Sequence, residues 1–373
     1  MSGYGGVVNP ATSCLPAIFA MSFPIWLMLV LLALGVTVIF DRIMAIIPGV
    51  TILICLGPIL NFCPINLSKT KLTTAQEDRS FTIMSYNVYG LYDYRKPILG
   101  VSDITGLTKE GIIGTSNPTL SYILKKDPDI VCMQECHISF EPTQRIISKA
   151  LLDSVNSRYH YNIYTKGIVI FSKFPLYKVN TIPLSDKTAY YVAAIAEIQG
   201  HRTLLVTAHL ESIGLNSSDK ALYQEITEGE GGRKALAGAK TQLLSKLSRA
   251  FITRARQVDL IRNQIDSLGV DNVIVTGDFN DIPDSYAYRQ MCKDDFKSAF
   301  AMAGCGPVIT YHANRFYFQI DHILYRGALD AVDYYRYGFD RSDHYPIEAR
   351  FLWSENASKV DRNLKGIDLI NRK

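Results

Sequence analysis

Two long runs of uncharged, mostly apolar residues open the chain. Cys14 to Phe40 and Ile43 to Leu67 contain no charged side chain, and a single acid–base pair at positions 41 and 42 separates them. Each run exceeds the roughly 20 residues that a helix needs to cross a bilayer. We therefore predict a membrane region over residues 1–67 with two transmembrane helices, at about 14–40 and 43–65.

Other interpretations of these runs are weaker. Helices in soluble cores rarely stay uncharged over such a length. A cleaved signal peptide would need a positive residue before the first run, and the second run follows too closely. The basic residues at 69, 71 and 79, against one at 42, favour a cytoplasmic domain after the spans. The first ten residues resemble a loop that leaves an earlier element, and an upstream helix would reverse that orientation.

A polar segment at 68–80 then predicts a linker, after which the hydrophobic pattern changes to short runs typical of strands. The predicted strands are Phe81–Val88, Asp129–Gln134, Gly167–Phe171, Ala193–Ile198, Thr203–His209, Asn272–Thr276, Phe318–Leu324 and Ile347–Trp353. The predicted helices are Ser116–Lys126, Thr143–Ser154 and Ala239–Leu268. This mixed order, without a Gly-x-Gly-x-x-Gly motif after any strand, favours layered sheets with outer helices over a Rossmann fold.

Two further segments lack a clear period. Residues 214–238 are polar and Gly-rich and predict a mobile loop shortly after the strand that ends at His209. Residues 354–373 form a polar tail to which no role is assigned. We therefore expect the folded domain to span residues 81–353.

Composition and charge exclude some classes of protein. A content of 48% hydrophobic and 11% aromatic residues is incompatible with intrinsic disorder. The net charge is only +4, and there is no long run of Lys or Arg. This composition therefore disfavours a strongly basic nucleic-acid coat.

Strongly polar residues recur where predicted strands end, so the sheets should deliver them to one edge. One such end would mean little, but six of them follow one another along the chain. They are Asn87, the pair Gln134-Glu135, His209, the group Asp278 and Asn280, Asp321, and the pair Asp343-His344.

This set resembles the endonuclease/exonuclease/phosphatase superfamily, metal-dependent phosphodiesterases with the deoxyribonuclease-I-like fold. The resemblance runs from about Phe81 to Trp353. Gly-Asp-Phe-Asn at 277–280 and Ser-Asp-His-Tyr-Pro at 342–346 are its most specific motifs, whereas Ser-Tyr-Asn-Val and Gln-Glu are common. It implies an α/β fold, a four-layer α/β/β/α sandwich. The apolar leader is also similar to that of membrane-attached bacterial members.

The resemblance also implies a metal site. Glu135 is the expected principal ligand, supported by Asn87 and Asp343. Mg²⁺ is the expected ion, with Mn²⁺ as an alternative, because Mg²⁺ prefers oxygen ligands and keeps several waters. One-metal and two-metal mechanisms both stay open.

Catalytic roles follow from the same resemblance. Asp321 is expected to orient His344, which meets the phosphate, and His209 is the candidate acid for the leaving group. Asp278 and Asn280 are expected to position or activate the attacking water and to hold a phosphate oxygen. Either Asp278 or His344 could take the proton of that water.

These expectations combine into a membrane-anchored, Mg²⁺-dependent phosphodiester hydrolase, with a nuclease favoured. Its substrate is a phosphodiester, either nucleic acid or a lipid or inositol headgroup. The enzymatic alternatives are a phospholipid or sphingomyelin phosphodiesterase and an inositol-phosphate phosphatase. An inactive membrane-tethered binding domain is the alternative outside enzymes, although none of its ionisable motif residues is missing. No protein partner is indicated, and residues 1–67 are expected to serve attachment rather than chemistry.

Overall fold

A computed structural model provides the structure of the chain. It describes residues 2–67, 71–92, 117–136, 149–165, 167–184, 189–214, 233–313, 316–354 and 369–370. Four predicted segments lie partly outside these ranges: most of the loop at 214–238, most of the tail at 354–373, the first half of the helix at 143–154 and the start of the linker at 68–80.

Thirteen strands are seen in the described part of the chain. They are β1 Ser80–Asn87, β2 Ile130–Cys136, β3 Tyr161–Thr165, β4 Gly167–Ser172, β5 Leu176–Val179, β6 Tyr190–Ile198, β7 His201–His209, β8 Asn272–Asp278, β9 Lys297–Ser298, β10 Asp321–Arg326, β11 Leu329–Arg336, β12 Ile347–Trp353 and β13 Leu369–Ile370. All eight predicted strands are present, β12 with the predicted bounds and the other seven with shifted ends, and five more were not predicted.

The strands form two mixed sheets. The first sheet has the order β11-β12-β1-β2-β4-β3, and the second has the order β13-β5-β6-β7-β8-β10-β9. Within the first sheet β1 and β2 are parallel, and within the second β7 and β8 are parallel. The other pairings are antiparallel.

Helices flank the sheets and form the amino-terminal region. They are α1 Leu15–Met21, α2 Phe23–Phe40, α3 Ile46–Ile54, α4 Leu56–Phe62, α5 Thr74–Glu77, α6 Pro118–Lys126, α7 Lys149–Arg158, α8 Arg233–Ser267, α9 Tyr286–Met291 and α10 Ala299–Ala303. The long helix α8 begins before the residue predicted, at Arg233. Asn117 caps α6, because its side chain accepts a hydrogen bond from the backbone N–H of Leu120.

Three hydrophobic clusters show how the layers stack. The central cluster joins inward-facing residues of both sheets, such as Ile83 of β1 and Leu205 of β7. Met84, the neighbour of Ile83, points the other way into a cluster with helices α6 and α7. A third cluster packs the second sheet against α8 and α9. Alternation along the strands thus produces the order helix, sheet, sheet, helix, as predicted.

Strand direction and register place the polar strand ends together. The last residue of β7, His209, is paired with the last residue of β8, Asp278, which is paired in turn with the first residue of β10, Asp321. In the other sheet β1 ends at Asn87 beside Gln134 of β2. The start of β12 lies beside the end of β1, so the chain that enters β12 passes the same edge.

The amino-terminal region differs from the two continuous spans that were predicted. The first apolar run is interrupted at Ser22 and the second at Cys55, which gives four helices. The cause is proline: Pro24 and Pro58 have no N–H to donate to the carbonyls of Ala20 and Ile54, four residues earlier. Among the described helices only α2 is long and apolar enough to cross a membrane by length and composition, with a mean hydropathy of 2.6.

Residues of α4 and of the segments before and after these helices dock onto the sheet domain. Asn61 donates to the carboxylate of Asp284 at 3.1 Å, and Arg289 donates to the carbonyl of Gly3 at 3.1 Å. Further along, Asn66 donates to two carbonyls at the end of α10. The amino-terminal region is therefore attached to the domain by specific contacts and not only by the segment at 68–80.

Candidate active site

All eight predicted site residues lie at the shared edge of the two sheets. Six of them line one cavity of about 400 Å³: Glu135, His209, Asp278, Asn280, Asp343 and His344. Asn87 and Asp321 lie directly behind them, each hydrogen-bonded to a member of that group. The structure therefore brings the complete set together.

Glu135 sits on a distorted end of its strand. A register shift between Gln134 and Cys136 accompanies its positive φ of 51°, and this bulge turns the side chain out of the sheet into the cavity. Its side chain remains 34% exposed. Burial opposes ionisation, but the hydrogen bond and charge of His209 and the amide of Asn87 outweigh it and lower the pKa of Glu135 to about 2.

Asn87 ties two carboxylates together. Its buried amide nitrogen donates to Glu135 at 3.1 Å and to Asp278 at 3.0 Å, while its oxygen accepts from the backbone N–H of Tyr89 at 3.2 Å. An amide between two carboxylates fixes their spacing without adding charge. Its nitrogen, rather than its oxygen, faces them in this arrangement.

Asp343 faces the same cavity from the chain that leads into β12. Ser342 donates to Asp343 and to the carbonyl of Asn87, which joins this loop to the end of β1. Burial raises the pKa of Asp343, and the negative charge of Glu135 adds to that rise. The two carboxylates repel each other across one cavity, and a divalent cation between them would reduce that repulsion. Their oxygens are also the ligands that Mg²⁺ prefers, so Glu135 and Asp343 fit the expected Mg²⁺.

A second acidic group lies deeper. Ligand atoms of Asp278, Asp321 and His344 all lie within 4.8 Å of one another, and the three residues are buried. This spacing suits either an ion or shared protons. The imidazole Nδ1 of His344 is already bonded to Asp321 at 2.8 Å, so an ion ligated by that nitrogen would replace the existing hydrogen bond.

His344 is held between two carboxylates. Its Nδ1 meets Asp321 and its Nε2 lies 3.5 Å from Asp278. Burial disfavours the imidazolium, yet the two carboxylates outweigh that effect and raise the pKa of His344 well above its ordinary value. Tyr311 covers the ring edge-on, with centroids 4.9 Å apart. The ring is thus held in position, and its two carboxylate neighbours favour the protonated form.

Asp278, Asn280 and His209 complete the edge. Burial raises the pKa of Asp278 to about 6, although the nearby histidines oppose the rise. The backbone N–H of Asn280 donates to Asp278 at 2.7 Å, and its side-chain nitrogen lies 3.5 Å from Nε2 of His209. That same His209 nitrogen lies 3.4 Å from Glu135. Asn280 has a positive φ of 50°, which turns its side chain back toward the cavity.

Several residues of the cavity were not predicted from the sequence, among them Arg254, Asp281 and Tyr311. Arg254 of α8 is 1% exposed and donates to Asp281 at 3.1 Å and to the carbonyl of Glu211 at 3.1 Å. Asp281 follows the Gly-Asp-Phe-Asn motif directly, which was a usable signal for it. Neither Arg254 nor Tyr311 has a comparable local signal, because each reaches the site only through tertiary packing.

Comparison with known proteins agrees with this geometry for the sheet domain. The domain has two facing mixed sheets, with carboxylates, amides and histidines at one shared edge. Residues 84–344 match the endonuclease/exonuclease/phosphatase family. The chain therefore belongs to this family. Residues 1–62 match a domain of unknown function, DUF8431.

Solved structures with similar folds share little sequence with the chain. Truncated TDP2 from Caenorhabditis elegans is 17% identical with a TM-score of 0.46, covering 73% of this chain and 98% of that one. An endonuclease/exonuclease/phosphatase from Bacteroides vulgatus is 15% identical with a TM-score of 0.44, covering 74% and 99%. TDP2 from D. rerio, in complex with a single-strand DNA product, is 16% identical with a TM-score of 0.44, covering 73% and 98%. No curated protein matches the chain.

Proposed function

We propose that the chain is a membrane-attached, divalent-metal-dependent phosphodiester hydrolase. The observation that carries this proposal is the convergence of ionised Glu135, Asp343 and the Asp321–His344 pair on one cavity. Membership of the family supplies the reaction class. The exposed apolar helix α2, of which 6% is buried, supplies the attachment.

Glu135 and Asp343 would hold the cation, with Asn87 keeping Glu135 in place. A bound Mg²⁺ or Mn²⁺ would neutralise phosphate charge and polarise its oxygens. Mg²⁺ needs only one or two carboxylates and otherwise keeps its waters, so the open cavity in front of these two side chains suits it.

His344 would bind the phosphate as an imidazolium. Asp321 fixes Nδ1 and leaves Nε2 as the donor that faces the cavity, next to Asp278. In this proposal His344 keeps its proton between two carboxylates, and Asp278 takes the proton of the attacking water. A pKa of about 6 leaves Asp278 mostly ionised at neutral pH and still able to accept a proton.

His209 would protonate the leaving oxygen. Its Nε2 lies beside both Glu135 and Asp278, so a carboxylate is available to hold a proton on that nitrogen. Asn280 lies next to it and would hold a phosphate oxygen with its side-chain amide. His209, Asp278 and Asn280 line the same cavity, so one bound phosphate could meet all of them.

The test is a substrate panel on the purified full chain, with plasmid DNA, RNA, bis-p-nitrophenyl phosphate, sphingomyelin and inositol phosphates. We expect turnover of at least one diester with Mg²⁺ or Mn²⁺ and none in chelator. Glu135→Gln should lower turnover by a factor on the order of 10² or more. Glu197→Gln, on β6 and outside the cavity, is the matched control. Full activity in chelator would refute the metal requirement.

A nuclease is the second candidate, because the description of the family names endonucleases and exonucleases. The panel separates it from the lipid and inositol alternatives through plasmid DNA and RNA. An inactive binding domain would turn over none of these substrates with either metal.

A further inference from the structure

The active-site cavity has an apolar wall for which the proposed chemistry has no use. Opposite the catalytic groups lie Leu243, Leu247 and Phe251 of α8, Phe316 and Phe318 ahead of β10, and Met21 at the end of α1. Met21 belongs to the amino-terminal region and lies outside the part of the chain that matches the family, residues 84–344. Hydrolysis of a small, hydrophilic diester would not require such a wall.

Two more cavities continue from this wall toward the apolar helices. One of about 200 Å³ shares Met21, Ile282 and Phe318 with the active-site cavity. Another of about 300 Å³ shares Phe23 with the second cavity and lies between α2 and the chain of α3 and α4. Three cavities, each sharing lining residues with the next, thus follow one another from the catalytic groups to α2.

The charge of the cavity disfavours a nucleic acid. Among its described lining residues Arg254 is the only Lys or Arg, and it is buried and bonded to Asp281. Proteins bind nucleic acids chiefly through Lys and Arg that neutralise several phosphates. One engaged arginine provides no such contact, whereas an apolar wall gains by removing hydrocarbon from water.

The position of the apolar wall beside α2 indicates that a hydrocarbon chain would enter from a membrane. Met21 lies two residues before Phe23, the first residue of α2, and most large side chains of α2 are exposed. If α2 lies in a bilayer, the cavity series opens at the membrane surface. A hydrocarbon chain that leaves the bilayer could then reach the catalytic edge without crossing water.

We infer that these cavities bind the apolar chain of a lipid phosphodiester drawn from the membrane. The inference rests on the proposed function, because it names the class of substrate for the same catalytic edge. The phosphate occupies the polar end, and the hydrocarbon chain runs past Met21 and Phe318 toward α2.

The experiment compares two p-nitrophenyl phosphodiesters whose other ester group is either methyl or hexadecyl. Both release the same leaving group, so the ratio of their kcat/KM values reports the effect of the hexadecyl group alone. The full chain is reconstituted in phosphatidylcholine vesicles with Mg²⁺ or Mn²⁺. We expect the hexadecyl ester to be preferred.

Leu247→Lys and Met21→Lys should each lower the hexadecyl-to-methyl ratio by about tenfold, the effect of losing roughly two buried methylenes. Leu244→Lys is the matched control, because Leu244 lies on the same helix, is 45% exposed and does not line the cavity. Melting temperatures of all variants show whether they fold. Met21→Leu, which keeps the volume, should retain the ratio.

Each outcome decides between the two proposals. An unchanged ratio in folded Leu247→Lys and Met21→Lys would overturn the binding site for the hydrocarbon chain. Turnover of the methyl ester in the same experiment would still support the proposed hydrolase. A higher kcat/KM for plasmid DNA or RNA than for the hexadecyl ester would also overturn it, in favour of a nuclease.

If neither ester is hydrolysed, the proposed activity fails and binding alone tests the site. A hexadecyl methylphosphonate with a diazirine near the middle of its chain is then photolysed with the full chain in the same vesicles. Label on peptides containing Met21 or Leu247, lost in their Lys variants and kept in Leu244→Lys, would support the site. Label restricted to other peptides would overturn it.

Discussion

Asp321 and His344 form a buried carboxylate–imidazole pair with Oδ2 of the acid 2.8 Å from Nδ1 of the ring. Asp321 begins β10 and His344 precedes β12, so strands of two different sheets supply the partners. Thr310 supports the pair, because its hydroxyl accepts from the backbone N–H of Asp321 at 3.1 Å. The pair therefore depends on how the two sheets stack and not on either sheet alone.

If Asp321 acts by orienting His344, the two residues should behave as one unit. We expect Asp321→Asn and His344→Ala each to reduce turnover of bis-p-nitrophenyl phosphate by about 10²–10⁴-fold. The double variant should be scarcely worse than His344→Ala, because Asp321 then has no ring to orient.

The control for this pair is Asp330→Asn, an exposed carboxylate on β11. Melting curves must accompany the kinetics, since Asp321 is buried and its replacement can act through stability. Losses that multiply in a folded double variant would show that Asp321 acts through another contact.

Gly277 is required by the close approach of β7 and β8. A Cβ at this position would lie 1.9 Å from the carbonyl oxygen of Ala208, and its φ is 136°. We expect Gly277→Ala to destabilise the fold by about 3 kcal/mol, because the carbonyl belongs to the sheet and cannot move aside. Gly338→Ala, with nothing near its Cβ position, should leave the melting temperature close to that of the parent. A parental melting temperature for Gly277→Ala would contradict this account.

Part of the candidate site was predictable because several of its residues lie where a run of apolar positions ends. Asn87, His209 and Asp278 terminate buried strands, and parallel strands deliver their ends to one edge. The sequence carries that information locally. It could not show that Met21 and Arg254 reach the same cavity, because packing between segments far apart in the chain brings them there.

Three of the strands that were not predicted, β3, β5 and β11, lack a clear alternation of polar and apolar positions in the sequence. β5 has four residues, too few for a period to emerge, and β3 is exposed at its start. In β11 a register shift between Ala331 and Asp333 breaks the alternation of polar and apolar positions. The breaks in the apolar runs at Ser22 and Cys55 did have a signal, in Pro24 and Pro58, but length and lack of charge outweighed it.

Docking of the amino-terminal region should contribute to stability. Asp284 is buried, and burial raises its pKa against the opposing charge of Arg289. Its carboxylate accepts from Asn61 and from Arg289 at 2.9 Å. We expect Asn61→Ala to lower the free energy of unfolding by about 1–2 kcal/mol, since a buried carboxylate then loses one donor.

Melting of the full chain in detergent micelles measures this effect, and Asn162→Ala, an exposed asparagine on β3, is the control. Equal melting temperatures for the two variants would show that the contact with Asp284 contributes nothing. Deletion of residues 1–67 should abolish vesicle binding and lower the melting temperature as well, because it removes both α2 and this contact.

His322 should make stability depend on pH below neutrality. Although it follows Asp321, alternation turns it to the other face of β10, where it packs edge-on against Phe279 and Tyr288 and hydrogen-bonds the carbonyl of Asp281 at 2.8 Å. Burial lowers its pKa to about 4, from 6.5. Between these values the unfolded chain binds more protons than the folded one, so the contribution of His322 to stability falls as pH drops from about 6.5 to about 4.

The depressed pKa of His322 corresponds to at most about 3 kcal/mol, so a variant without a titrating ring should lose less stability at low pH. His322→Gln retains an N–H donor for the carbonyl of Asp281 and cannot titrate. We expect the melting temperature of the parent to fall more steeply than that of His322→Gln between pH 6.5 and pH 4, with the two curves parallel above pH 7. His160→Gln, at an exposed position, should follow the parent throughout. Parallel curves for the parent and His322→Gln across the whole range would contradict this account. They would mean that His322 takes up its proton in the folded state as readily as in the unfolded chain, which would require β10 to open locally around the charged ring.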